Sequence, residues 1–582
     1  MKFQKLFTAL CMLAATAICS KAALADPASY QIKVLTVGSS AQYGVFAESA
    51  YSLATADGQP EHYTLKGGTS AFVNDTRTSG TTTIPSEFGN LWIVWSQTTG
   101  NVWAYLSVDS TVGVRAFQAV PRAKLGLAAT LPAVLSTSPF TNLPVWDDGS
   151  SDVAVPAAVQ TLLSNATFTA ANTDIRPEDA LFATRRALTP LNTTNYSGLG
   201  YGTSATQLVG TAIQGQVTSG SKATPVSFAI SGNDPFTAQA VAPFVTLPIG
   251  AAPIVFIANT SDASGLGAST FTNVSTANAL KLFSGTECDA SVIGGSASVA
   301  VNPFLREALS GTMNTTEFTT FRVPFSAATS QEQGVLVGSG AQYNPLNTAC
   351  STGSGKRQRA IGTGDEVKGV NNQADGIGYV FFSYEALNSK SSTVGGNAAN
   401  LKYIQVDGID PINASYTTGA IPVCGSTTSA IFSCPLTTPS SSFPNLRNGS
   451  YTKWSEYRMI ADGSTDSVNT ANRTNAQALV TKSQTVVDKV LPDFVPFLAS
   501  CGASASKDEP GLAVYRQHFT ITGVATTAND GNRSADVACS GRTLKTRTLG
   551  GVNEAGGDVG GTIVFTAAGT DATFPGSLDP AH

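Results

Sequence analysis

Residues Phe244 to Asn259 constrain the chain more than any other stretch. Val245, Leu247, Ile249, Ile254, Val255, Phe256 and Ile257 make it strongly apolar, while Pro248-Ile249-Gly250 and Pro253 interrupt it. Proline removes a ladder donor and glycine relaxes the backbone, so the run reads as a buried strand with a bend. A bend of that kind can carry a chain from one domain to another. With 582 residues, more than one domain is expected, each with length enough for a real core.

Around this run the sequence repeats a unit of strand, small-residue turn and helix. Gln31 to Val37 alternates and is rich in β-branched residues, then Gly38-Ser39-Ser40-Ala41 breaks it, and Gln42 to Leu53 carries Tyr43, Phe46, Ala50 and Tyr51 at helical spacing. Val102 to Val108 leads in the same way into Asp109-Ser110-Thr111-Val112-Gly113. The aromatic stripe Trp92, Trp95, Trp103 and Tyr105 reads as core. Thr173-Asp174-Ile175-Arg176-Pro177 marks a helix start by its proline, with Glu178 and Asp179 behind it. Thr276 to Ser284 and Asn475 to Val490 read as helices, and Ile377 to Phe382 as a buried strand after the turn Ala374-Asp375-Gly376. Gly353 to Arg359 is a basic glycine-rich loop expected to be solvated. It is no nucleotide-binding loop, because Arg357 stands where a hydroxyl residue should follow Lys356.

Charged residues make up only 13% of the chain and hydrophobic ones 42%, which suits an exported, strand-and-turn-rich fold rather than disorder. A net charge of −5 without a basic run argues against nucleic acid and against an anionic membrane surface. Lys2 and Lys5 precede the apolar run Leu6 to Ile18, and Ala23-Leu24-Ala25 fits cleavage after Ala25, so residues 1–25 read as a secretion signal and the mature protein as periplasmic or secreted. No later stretch reaches about 18 apolar residues, so no membrane span is expected. Six of the eight cysteines lie beyond the signal, and an even number in an exported protein suggests three disulfides. Sequential pairing gives Cys288–Cys350, Cys424–Cys434 and Cys501–Cys539. No Cys-x-x-Cys occurs and there are three histidines, so neither a metal site nor a cofactor is expected. With no Gly-x-Ser-x-Gly elbow, no catalytic residues are expected either, and the chain reads as a non-enzyme.

The chemically pointed stretch is Arg306-Glu307-Ala308-Leu309-Ser310-Gly311-Thr312. Ser310 can cap a helix running from Thr312 to Phe321, and Gly311 lets the backbone close on a ligand. Free amides and the positive end of the helix dipole favour an anion there, and Arg306 adds a planar fork of donors. The plainer reading is a capped helix beside a surface arginine.

With these residues the chain resembles the phosphate-binding proteins of ABC importers, in the type II periplasmic-binding-protein superfamily. The carrying residues are Arg306-x-x-x-Ser310-Gly311-Thr312, Thr173-Asp174 before a helix start, the opening strand with Gly38-Ser39-Ser40-Ala41, and Ile377-Gly378-Tyr379 with its turn. The resemblance covers about half of the chain, with insertions around residues 115–165 and 185–240 and an addition from about residue 450. It implies an α/β fold of two lobes with a ligand cleft between them: lobe 1 over residues 26–250, lobe 2 over 251–376, a return to lobe 1 over 377–450, and a helical and glycine-rich extension over 451–582. The chain would cross between lobes near Leu247–Ile257 and Gly376–Val380.

The resemblance also implies roles. Arg306, Ser310, Gly311 and Thr312 would hold inorganic phosphate or a similar oxyanion from the second lobe. Asp174 would accept the ligand's proton, Ser110 would donate a hydroxyl, and Ser40, Ala41, Gln42 and Tyr43 would close the site at the first turn. Gln42-Tyr43 stands where the family usually has Thr-Phe, which alters a side-chain donor. The implied protein is a monomer that feeds an ABC permease. A second class, an extracellular structural or surface-interaction protein on the same fold, fits the polar insertions and the acidic balance.

Overall fold

A computed structural model describes residues 27, 29–65, 71–74, 83–85, 90–119, 121–127, 131, 152–175, 226–229, 244–295, 298–306, 310–316, 320–321, 349–360, 362–383, 386–387, 400–421, 425–426, 432–433, 443–447, 450–486, 493–496, 548–549 and 552–553. Its main strands are β1 (Gln31–Ser39), β2 (Pro60–Leu65), β3 (Asn90–Ser96), β4 (Asn101–Val108), β5 (Ala170–Thr173), β6 (Phe244–Asn259), β7 (Asn302–Arg306), β8 (Gln358–Ala360), β9 (Gly376–Phe381), β10 (Leu401–Val406) and β11 (Trp454–Asp462). The main helices are α1 (Tyr43–Asp57), α2 (Ser110–Gln118), α3 (Ala157–Leu163), α4 (Thr276–Phe283), α5 (Gly311–Thr316), α6 (Gly362–Asn372) and α7 (Ser467–Val486). The fold is mixed α/β, as the alternation of strand, turn and helix predicts.

The strands join in one sheet in the order β8-β7-β9-β6-β11-β5-β1-β4-β3-β2, with β10 also on β6. Within it lie two parallel groups. β1 runs parallel to β4 and β5, and β7 runs parallel to β8 and β9. β6 belongs to both neighbourhoods. Its first part, Phe244 to Pro253, pairs antiparallel with β11, and Ile254 to Asn259 pairs with β9 and β10. The bend expected from Pro248-Ile249-Gly250 is a register shift between Pro248 and Gly250.

Burial follows the strand period. On β1, Val34 joins one apolar cluster with Phe46, Trp92 and Tyr105, while Leu35 and Val37 join a second with Trp95, Leu106 and Val114 on the other face. The aromatic stripe is core: Trp92, Trp95, Trp103 and Tyr105 are all buried. Each such side chain contributes about 1.5–3 kcal/mol on burial. α7 lays Ala476, Leu479 and Val480 inward and packs on α1.

Several local expectations change in the folded chain. The stretch after residue 450 supplies β11, a central strand between β6 and β5, rather than an appended layer. β9, where a second crossing was expected, pairs with the latter part of β6 and with β7; β11 is the strand that sets Trp454 against Pro253 and runs back beside β5. Arg357 is not solvated, because its guanidinium is buried and donates to the Phe283 carbonyl at 3.1 Å. α7 starts at Ser467, eight residues ahead of Asn475, because its first turns are polar and carry no apolar period to read. The Cys288–Cys350 disulfide is formed. Residues 1–25, the helix start at Pro177, Phe318, Cys424, Cys434, Cys501 and Cys539 lie outside the described residues. Among the described residues no helix is long and apolar enough to cross a membrane.

Candidate functional site

The carboxyl ends of both parallel strand groups meet at one place, which is where open α/β sheets put their ligands. β1 ends in Ser39, β4 runs into Asp109 and Ser110, and β5 runs into Asp174. From the other group, β7 ends in Arg306 and β8 leads to Thr363 on α6. Local sequence makes each approach possible. A Cβ at Gly38, whose φ is +144°, would run into the Asn172 carbonyl, so glycine lets β1 close on β5.

Asp174 sits at the centre and is buried. Ser110 Oγ donates to its Oδ1, and Ser39 Oγ donates to its Oδ2 at 3.4 Å. Across from it lies Gly311, the first residue of α5. A Cβ there would collide with Asp174 Oδ1 and come within 2.7 Å of Ser110 Oγ. Only glycine fits that position. Ser455 of β11 holds the segment from behind, donating its hydroxyl to the Asp174 carbonyl.

Arg306 is buried too, and its terminal nitrogens point to different partners. Nη1 donates to Thr312 Oγ1 at 3.2 Å and to Thr363 Oγ1 at 3.4 Å. Nη2 lies 3.5 Å from Asp109 Oδ1, and Nε lies 3.8 Å from Glu366 Oε2. Glu366 is anchored in turn, because its Oε1 accepts the Tyr379 amide at 2.8 Å. Ser310 caps α5 by accepting the Met313 amide at 3.3 Å. The surface-arginine reading is therefore excluded by burial.

The structure brings Ser110, Asp174, Arg306, Ser310, Gly311 and Thr312 together. Ser40 joins them through Thr363, with its Oγ 3.2 Å from Thr363 Oγ1. The rest of the first turn is otherwise engaged. Ala41 gives its amide to Ser39 Oγ at 3.3 Å. Gln42 spends its side chain on β5, donating to the Thr173 carbonyl and accepting from Asn172 Nδ2, both at 2.8 Å. Tyr43 sets its ring edge-on to Tyr105 at 5.7 Å. Those two side chains brace the turn.

Ser39, Asp109, Thr363 and Glu366 were given no role at the site from the sequence. A signal existed for Thr363. Gly362-Thr363-Gly364 follows a basic run and precedes Val367 and Val370, which have helical spacing.

Among the described residues, Asp109, Asp174 and Glu366 all lie near the Arg306 guanidinium. Burial pushes the Asp174 carboxyl up to about 6, against the opposing pull of the Ser110 hydrogen bond, the Asp174 amide, the Arg306 charge and Ser39. The same negative charge, after burial, holds the Tyr105 hydroxyl well above its ordinary range. Such a cluster favours a guest that supplies donors to Asp174 and acceptors to Arg306 and the helix starts. A protonated oxyanion does both. Among the described residues, no group of three His, Cys, Asp or Glu side chains is placed to hold a metal ion.

No protein-family model matches the chain. No curated protein does either. Among solved structures the chain is similar to an ABC-type phosphate transport receptor from Vibrio cholerae, at 13% identity over 42% of this chain and 70% of that one, with a TM-score of 0.24. It is similar to PstS from Borrelia burgdorferi at 11% identity over 79% and 96%, with a TM-score of 0.27. A third is the ancestral soluble variant of the Human Phosphate Binding Protein, at 13% identity over 82% and 89%, with a TM-score of 0.30.

Proposed function

We propose that this chain is a solute-binding protein for phosphate or a phosphate-like oxyanion, exported to the periplasm or beyond and feeding an ABC importer as a monomer. One observation carries the reading: Asp174 and Arg306, far apart in the chain, are buried together across Ser110 and Gly311. A buried carboxylate repels an anion unless the anion brings a proton, so Asp174 selects monohydrogen phosphate over sulfate, which has none at neutral pH. Arg306, Ser310, Thr312 and the amides opening α2 supply donors from both strand groups. Hydrogen bonds with a charged partner contribute about 1.5–3 kcal/mol each. Three to five of them reach the roughly 8 kcal/mol of a micromolar complex. The strand groups act as two lobes that close on the ligand, with β6 and β11 as the connection.

Calorimetric titration of exhaustively dialysed protein tests this, with phosphate, then sulfate, then phosphate against Arg306→Lys. Heat with phosphate, silence with sulfate and loss in the variant are expected, since lysine keeps the charge but loses the fork. A second reading draws on the same contacts. Ser110, Ser39, Thr312 and Thr363 pair with Asp174 and Arg306 directly, as a purely structural polar core would. Silence with both anions in folded protein selects that reading, a surface-interaction protein whose insertions do the work.

A further inference from the structure

Ser40 and Thr363 belong to different strand groups, yet they meet beside the anion site. Ser40 follows β1. Thr363 is the second residue of α6, whose 11 residues follow β8. Two contacts join them to each other and one joins them to the site. The Thr363 amide donates to Ser40 Oγ at 3.3 Å, and the two hydroxyls lie 3.2 Å apart. Arg306 Nη1 donates to Thr363 Oγ1 at 3.4 Å. Thr363 is buried, while Ser40 keeps partial exposure. One side chain therefore reads the position of the opposite strand group and passes it to the guanidinium.

We infer that Thr363 is a positioning residue of the oxyanion site and that its contact with Ser40 is the latch that holds the two strand groups shut over it. This rests on the oxyanion reading. Arg306 has several rotatable bonds, and a fork presents both nitrogens to an oxyanion only when its plane is fixed. Asp109 and Glu366 draw Nη2 and Nε to one side, at 3.5 and 3.8 Å. Thr312 and Thr363 hold Nη1 on the other. Thr312 is on the same strand group as Arg306 and stays with it whatever the groups do. Thr363 is also tied to Ser40, so the plane is set fully only when the groups are together. Separation of the groups breaks the Ser40 contacts, frees the threonine hydroxyl and loosens the arginine. Ligand binding and closure are coupled through that hydroxyl.

The test uses the full exported chain with Thr363→Val, Thr363→Ser and Ser40→Ala. Inorganic phosphate is titrated into each, and a double-mutant cycle of Ser40→Ala with Thr363→Val is run by urea unfolding without phosphate. Thr363→Val keeps the shape and removes the hydroxyl, and is expected to weaken phosphate binding about tenfold or more. Thr363→Ser restores the hydroxyl and with it most of the affinity, which a purely steric role would not do. The unfolding cycle is expected to be non-additive, as for residues in contact. Parental affinity in Thr363→Val, or a serine variant as weak as the valine one, overturns the positioning role. An additive cycle overturns the latch. If the parent takes up no phosphate, the oxyanion reading falls, and the cycle still decides the Ser40–Thr363 contact.

Discussion

Replacing Asp174 with asparagine removes one charge and almost no volume from the centre of the site. Burial raises this carboxyl from 3.8 to about 6 in the fold, so the folded chain holds the proton more tightly than the unfolded one. A raised folded value means that the stabilisation is fully present below about pH 4 and is lost as pH rises through about 6. A difference of about two units at 1.36 kcal/mol each amounts to roughly 3 kcal/mol between the two ends of that window. The asparagine amide keeps an oxygen for the Ser110 hydroxyl and carries no charge to desolvate, so the variant lacks this dependence. Urea unfolding of parent and Asp174→Asn at about pH 3.5 and about pH 8 measures it. The variant is expected to match the parent in acid and to exceed it by roughly 2–3 kcal/mol at the higher pH. Parallel loss of stability in both proteins across the window would refute the reasoning, because the proton would then reside elsewhere. The phosphate titration adds a second reading of the same change. An amide can donate to sulfate, so the preference for phosphate should shrink in the variant.

Three further outcomes are expected. Gly311→Ala puts a Cβ into Asp174 Oδ1, so α5 and the carboxylate must separate, at a cost of about 1–3 kcal/mol in stability and with loss of anion binding; unchanged urea midpoint and phosphate heat would show that α5 does not bear on Asp174. The Cys288–Cys350 bond spans a sequence separation of 62 residues, so reduction or a double serine variant should cost about 4 kcal/mol by loop entropy, measured as the shift in unfolding free energy. Non-reducing peptide mapping of untreated parent protein should recover Cys424 linked to Cys434, since their described neighbours Gly425 and Ser433 pair antiparallel.

How far the sequence could be read depended on whether the deciding interactions were local. The unit of strand, small-residue turn and helix was legible at Gln31–Tyr51 and at Val102–Gly113, because alternation, capping hydroxyls and helical spacing all act within a few residues. The cap of α5 and the bend in β6 were legible for the same reason: Ser310 bonds three residues ahead, and proline and glycine act on their own backbone. β11 was not. Glu456 and Arg458 give it a polar stripe that suggests exposure, while the fold buries both and pairs them at 2.8 Å. Arg357 misled in the same way. Its partner, the Phe283 carbonyl, is supplied from another element.

The sequence by itself determined the α/β class, the hydroxyl-and-glycine turns at strand ends, and a donor-rich arginine segment beside a helix start. Tertiary structure alone decided that those turns face one another. Asp174 acquires its raised proton affinity only because sheet pairing buries it against Gly311 and Ser110. Arg306 acquires a fixed plane only because Asp109 arrives from the start of α2, and Glu366 and Thr363 from α6. Capping and turn chemistry act over a few residues and leave a mark in the sequence. Desolvation and the convergence of distant charges depend on where the chain returns, and no short window of residues records that.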